Sequence, residues 1–171
     1  NLPPAWDLST GSAAQVVAVV DSGIAYGHPD LQSKLLTGYD LISDLDTAND
    51  GDGRDADAWD PGDWISAPEA NSGRYPGCPA EDSSWHGTFI AGQIAAATHN
   101  GLGVAGVSWG ARILPVRVSG KCGAWLSDVA DGIRWAAGLP VSGVPLNPHP
   151  ARVINVSFGG DSACTPAYQS A

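Results

Sequence analysis

Three features of the 171-residue sequence predict an α/β fold, a three-layer sandwich with a mostly parallel central sheet. Short apolar runs rich in β-branched residues alternate with stretches whose apolar positions recur at helical spacing. Their strand–helix–strand order calls for parallel pairing through right-handed crossovers. The first run is followed at once by an aspartate, at the strand end where chemistry collects in open α/β sheets.

In chain order, residues 15–20 (Q-V-V-A-V-V) read as a strand buried on both faces, because the run is continuously apolar rather than alternating. Asp21-Ser22-Gly23 follows directly. Residues 40–85 hold no convincing helix or strand and are rich in Asp, Gly, Pro, Ser and Trp. A stretch of that length inside a domain is functional, metal-organised or disordered; Trp59, Trp64, Tyr75 and Trp85 favour an ordered loop packed on the body. Residues 86–97 (H-G-T-F-I-A-G-Q-I-A-A-A) carry apolar groups at helical spacing, with His86 at the first turn, and Gly87, Ala91, Gly92 and Ala95 predict a close approach to another element. Residues 113–118 form a second predicted strand. Ser127-Asp128 is expected to cap a helix running to about Ala137, with Val129, Ile133 and Trp135 on its apolar side. Residues 152–157 (R-V-I-N-V-S) are the third strand, ending in Phe158-Gly159-Gly160. No internal repeat is present.

The formal charge is −10 and the pI about 4.4, which argues against a nucleic-acid partner, since phosphate binding needs a positive footprint. No run of about 18 apolar residues suggests a membrane span. The start at Asn1-Leu2-Pro3-Pro4 reads as a mature, processed terminus. The acidity is local: nine of the Asp residues fall between Asp40 and Asp63, with Arg54 the only cation among them, and the remainder is close to neutral. Three cysteines, no Met and few Lys fit an oxidising, extracellular setting, and the odd cysteine is free or pairs outside the chain.

An aspartate at a strand end together with a histidine opening a small-residue helix suits proton transfer to and from a nucleophile: the histidine takes the proton, and the buried carboxylate fixes its tautomer and stabilises the imidazolium. Each residue alone has a plain structural reading, as a turn cap or a packed helix start.

The flanking motifs decide between these readings. V-V-A-V-V-D-S-G-I, H-P-D-L at 28–31, H-G-T-F-I-A-G, G-V-A-G-V-S at 103–108 and V-I-N-V-S-F-G-G at 153–160 occur in an order that resembles the subtilisin-like serine proteases, most closely their secreted bacterial, calcium-stabilised members. The resemblance implies that Asp21 and His86 are two members of an Asp-His-Ser triad. It implies that Ser157, Phe158, Gly159 and Gly160 form the strand that pairs with the substrate backbone and one wall of its specificity pocket. Residues 119–124, with Gly120 and Gly123, match the opposite edge strand, so that a peptide lies between two strands. The family's G-T-S nucleophile segment is absent. The chain is therefore expected to be the N-terminal portion of a single catalytic domain, residues 1–171, with an Asp-rich insertion at about 40–85. The fold would be incomplete and inactive alone, and a nick after Ala171 with a retained C-terminal piece carrying the serine is the economical explanation.

The acidic loop does not match an EF-hand, for no Glu closes a 12-residue loop. Asp52, Asp55, Asp57, Asp60 and Asp63, spaced two or three apart with Gly and Pro turns between them, are expected to converge on calcium; the alternative is a solvated acidic face. The resemblance implies a second calcium site from Asp30, the Asn100 side chain and carbonyls near Ala97, Leu102 and Val104. It also places Cys78 and Cys122 beside the cleft. Of three possible pairings it favours Cys78–Cys122, which leaves Cys164 for the missing portion.

These readings converge on a secreted serine endopeptidase acting on protein or peptide substrates, with structural calcium. The alternatives are a noncatalytic calcium-binding module or inactive homologue, and an acyl transferase using the same residues.

Overall fold

The computed structural model describes residues 2–159 and 166–170. Its centre is a parallel sheet of β1 (Val16–Asp21), β2 (Tyr39–Asp40), β3 (Arg112–Arg117) and β6 (Val153–Asn155), in the spatial order β2-β3-β1-β6. β1 pairs with β3 along its whole length, from Val16 opposite Arg112 to Asp21 opposite Arg117, and with β6 on its other side.

Alternate side chains of the inner strands enter two different cores. Val17, Val19 and Ile113 meet Ala91 and Ala95 of α4 (His86–Ala95) on one face. Ala18, Val20, Leu114 and Val116 meet Val129, Trp135 and Ala136 of α5 (Leu126–Ala136) on the other. Covering both faces removes any need for a polar side, which is why β1 reads as an unbroken apolar run. The result is the expected three-layer α/β sandwich, with the C-terminal ends of β1 and β3 side by side.

Several local expectations are corrected. The strands at 113–118 and 152–157 are displaced or shortened to Arg112–Arg117 and Val153–Asn155. α5 begins at Leu126 after an extended Trp125, and Ser127-Asp128 does not cap it. Asp128 is instead fully buried and accepts hydrogen bonds from the Ser43 amide at 2.9 Å and from Arg54 at 2.8 Å. A carboxylate with a guanidinium partner gains more from that pair than from a cap. The helix α1 (Leu2–Trp6) was not expected, although prolines suit a first helical turn. Trp6 anchors it by donating to the Val107 carbonyl.

The long segment at 40–85 is ordered, as its aromatic residues suggested, but contains more structure than its composition showed. β2 opens it. α2 (Leu45–Ala48) is capped by Asp44, and α3 (Ala67–Ala70) by a reciprocal Ser66/Glu69 capping box. Single bridges join Asp40 to Asp55, Ile24 to Trp59 and Ile65 to Glu81. The segment at 119–124 is a tight hairpin of β4 (Ser119–Gly120) and β5 (Gly123–Ala124) rather than one extended edge strand. Cys122 and Gly123 turn it with φ of 66° and 104°. The chain ends its described part in α6 (Pro166–Ser170). Among the described residues no helix is long and apolar enough to cross a membrane.

Candidate active site

Asp21 closes β1 with 1% of its surface exposed, and His86 opens α4 with its ring partly open to solvent. The His86 Nδ1 lies 2.8 Å and 3.0 Å from the two Asp21 carboxylate oxygens. A carboxylate oxygen accepts, which makes Nδ1 the donor in this contact. The Ser22 amide donates to the same carboxylate at 2.8 Å.

The approach of the two elements depends on Gly87: a Cβ there would stand 2.2 Å from the Gly23 carbonyl oxygen and 3.2 Å from the Asp21 side chain. Two further bonds fasten α4 to the turn after β1. The Gly87 amide donates to Ser22 Oγ at 3.1 Å, and the Ala25 amide to Thr88 Oγ1 at 2.9 Å. Trp85, just before His86, holds a left-handed φ of 51°, a conformation rare for a bulky residue and typical of functional turns.

Behind the pair lies a buried charge cluster. Arg117, opposite Asp21 at the end of β3, is 1% exposed. Its guanidinium donates to Asp40, Asp50, the Ala48 carbonyl and the Ser22 carbonyl. Burial pushes the Asp40 carboxyl up to about 7, against the pull of Arg117.

The five loop carboxylates do not converge. Asp55 and Asp57 accept from backbone amides two residues on, those of Asp57 and Trp59. Asp63 accepts from the Ser84 amide and hydroxyl, both at 2.6 Å. Asp52 is exposed. Asp60 is 1% exposed and turns inward to Ser22, and burial raises its pKa. Among the described residues no three His, Cys, Asp or Glu side chains group where one ion could sit. Backbone amides and the hydroxyls of Ser22 and Ser84 engage Asp55, Asp57, Asp60 and Asp63.

The residues expected at the second ion site lie together. Asp30 is 2% exposed and accepts from Asn100 Nδ2 at 2.6 Å and from the Val104 amide at 3.0 Å, bonds that hold its carboxyl below the usual range. The Leu102 amide closes on Asn100 Oδ1 at 3.1 Å. A Cβ on Gly103 would fill the space 2.1 Å from Asp30 Oδ2. The Asp30 carboxylate is thus held by N–H donors inside a tight backbone cradle.

Of the expected substrate residues, Ser157, Phe158 and Gly159 follow β6, and Gly159 faces open space. Phe158 packs partly against the core on the α5 side. Gly160 lies outside the described residues. Gly123 is open, whereas Gly120 is buried with its α-carbon against the Thr47 carbonyl, where a Cβ would come within 2.0 Å. Gly120 therefore packs the hairpin closely onto α2. Cys78 and Cys122 form a disulfide with Cα atoms 5.8 Å apart, joining the long segment to the hairpin tip. Cys164 lies outside the described residues. Motif reading missed Ser22, Thr88 and Arg117 as supports of the pair; the signal for Arg117 was a lone cation ending a strand that faces an acidic segment.

Comparison with known proteins fits this geometry. The sequence pattern of the Subtilase family matches residues 12–171. An extracellular protease of Xanthomonas campestris pv. campestris is 54% identical over 171 residues, which is all of this chain and 28% of that protein. An extracellular basic protease of Dichelobacter nodosus is 48% identical over 166 residues, 96% of this chain and 27% of its own. A solved protease from Pseudoalteromonas arctica PAMC 21717 superimposes with a TM-score of 0.92 at 54% identity, covering 99% of this chain and 48% of that one. The chain thus spans under a third of the length of these two sequence relatives.

Proposed function

This chain belongs to the subtilase family, and from that premise we propose that it is the N-terminal part of the catalytic domain of a secreted serine endopeptidase. The extracellular proteases among its relatives support the location and the substrate class, proteins and peptides. The observation that carries the reading is the contact of His86 Nδ1 with a buried Asp21 carboxylate.

In this reading His86 Nε2 takes the proton of a serine hydroxyl supplied by the rest of the protein as that oxygen attacks the peptide carbonyl. Asp21 holds the ring in the required tautomer and stabilises the imidazolium. The same Nε2 then gives its proton to the departing amine, and water repeats the cycle on the acyl-enzyme. Ser157–Gly159 and the open edge at Gly123 are proposed to receive the substrate backbone from opposite sides.

The partner is the remainder of the domain. β6 is a sheet edge among the described residues, with Val153 and Val156 exposed, and α4 presents Trp85 and Phe89 outward along a groove of about 690 Å³. Apolar surface of this kind beside a catalytic pair calls for cover. Calcium is proposed at Asp30 and Asn100 with the carbonyls of Leu102 and Val104, where it would cross-link two loops without entering the reaction.

The test is a fluorophosphonate probe on the intact protein. Labelling of its serine and peptide hydrolysis are both expected, and His86→Ala should lower kcat by about 10⁴-fold or more. Absence of both label and hydrolysis in folded protein would overturn the protease reading in favour of a noncatalytic calcium-binding module.

A further inference from the structure

The acidic loop delivers one carboxylate to the base of the active site. Asp60 lies 39 residues beyond Asp21, yet its side chain is buried beside the turn that follows β1. The backbone brings it there: the Ile24 amide donates to the Ala58 carbonyl at 3.1 Å, and the Asp60 amide returns to the Ile24 carbonyl at 3.3 Å. One carboxylate oxygen accepts from the Gly62 amide at 2.8 Å, and the other accepts from Ser22 Oγ at 2.9 Å.

The Ser22 hydroxyl has one proton to donate. With that proton committed to Asp60, its lone pairs face the Gly87 amide, the residue after His86. The same Ser22 donates its own amide to Asp21 and accepts Arg117 at its carbonyl. A single residue therefore touches the carboxylate, the helix turn bearing the imidazole, and the buried guanidinium. Only an acceptor without a donor face, such as a carboxylate, fixes the direction of this hydroxyl.

We propose that Asp60 is a positioning residue for the Asp21–His86 pair, acting through the hydroxyl of Ser22; the inference rests on the protease reading above. An amide at position 60 has the same shape but replaces one acceptor by a donor. Either the Gly62 bond is lost, or the Ser22 proton loses its acceptor and the hydroxyl turns away from Gly87. Positioning errors of this size near a general base cost about 10- to 100-fold in rate.

The experiment is steady-state kinetics of the intact enzyme with Asp60→Asn, Ser22→Ala and the double variant, each in excess calcium. Asp60→Asn should lower kcat about 10-fold or more while KM stays within about 2-fold, because substrate does not touch Asp60. In the Ser22→Ala background the same change should cost less than about 2-fold, because its route of action is gone. Wild-type kcat in Asp60→Asn, or an equal loss in both backgrounds, would overturn the inference. If Asp60→Asn does not fold, Ser22→Ala alone decides: a fall in kcat at constant KM supports the route through the hydroxyl, and an unchanged kcat overturns it. An active wild type with an indifferent Asp60→Asn refutes this inference alone, whereas an inactive wild type refutes the protease reading itself.

Discussion

At the residue scale, charge is handled by pairing, and each pair has its own reach into the fold. Glu69 is the clearest case. It accepts from Lys121 at 2.7 Å and from Ser66 as part of the capping box, while Lys121 also lies 4.7 Å above the Trp64 ring. The Lys121 bond, followed by those from Ser66, pulls the Glu69 carboxyl down to about 2. A carboxyl lowered on folding contributes stability that is complete above its ordinary value, about 4.5, and is lost as pH falls toward about 2. Glu69→Gln should therefore melt below the wild type at pH 6, and the gap should close across that window; a gap independent of pH would refute this account. Asp21 and His86 were legible because each sits inside a specific motif, and Asp30 with Asn100 likewise. Asp60 and Arg117 were not. Their partners lie 38 and 95 residues away at Ser22, and no local pattern reports the path of a loop between such points.

At the element scale, the inner strands and the two long helices were legible because their patterns reflect burial, which is a property of long segments. The caps were not, because Asp128 serves both as a plausible helix cap and as a partner for a distant arginine, and the buried ion pair wins. The segment at 119–124 was expected as an edge strand on the strength of the resemblance; the left-handed φ at Cys122 that turns it into a hairpin only appears with the fold. The fit of α5 on the sheet gives a sharp test. A Cβ at Gly132 would stand 2.6 Å from Val118 Cγ1 and 3.2 Å from Val20 Cγ1, so the helix rests on the strands through its missing side chain. Gly132→Val should lower the urea midpoint, corresponding to about 1–3 kcal/mol of overpacking. Gly123→Ala, in open space but at a left-handed φ, should cost less than that.

At the scale of the whole molecule, the charge of −10 does not behave as a global property. Several of the carboxylates are paired inside the fold: Asp40 and Asp50 with Arg117, Asp128 and Asp131 with Arg54. The disulfide then pins the acidic segment to the hairpin across 44 residues. The Asp-rich loop is thus ordered by hydrogen bonds, ion pairs and a disulfide, whereas the ion is proposed at the Asp30–Asn100 cradle. These two placements make different predictions for chelation. An ion that binds only the folded protein adds about 2.7 kcal/mol when its free concentration is about 100 times Kd. Excess EDTA should therefore lower the Tm of the wild type, and Asp30→Asn should lower the starting Tm while removing the response to EDTA. Asp55→Asn and Asp57→Asn, whose carboxylates only cap their own turns, should keep the full response. If the response instead vanished with Asp55 or Asp57 and survived in Asp30→Asn, the ion would belong to the acidic loop, and the loop's order would depend on it after all.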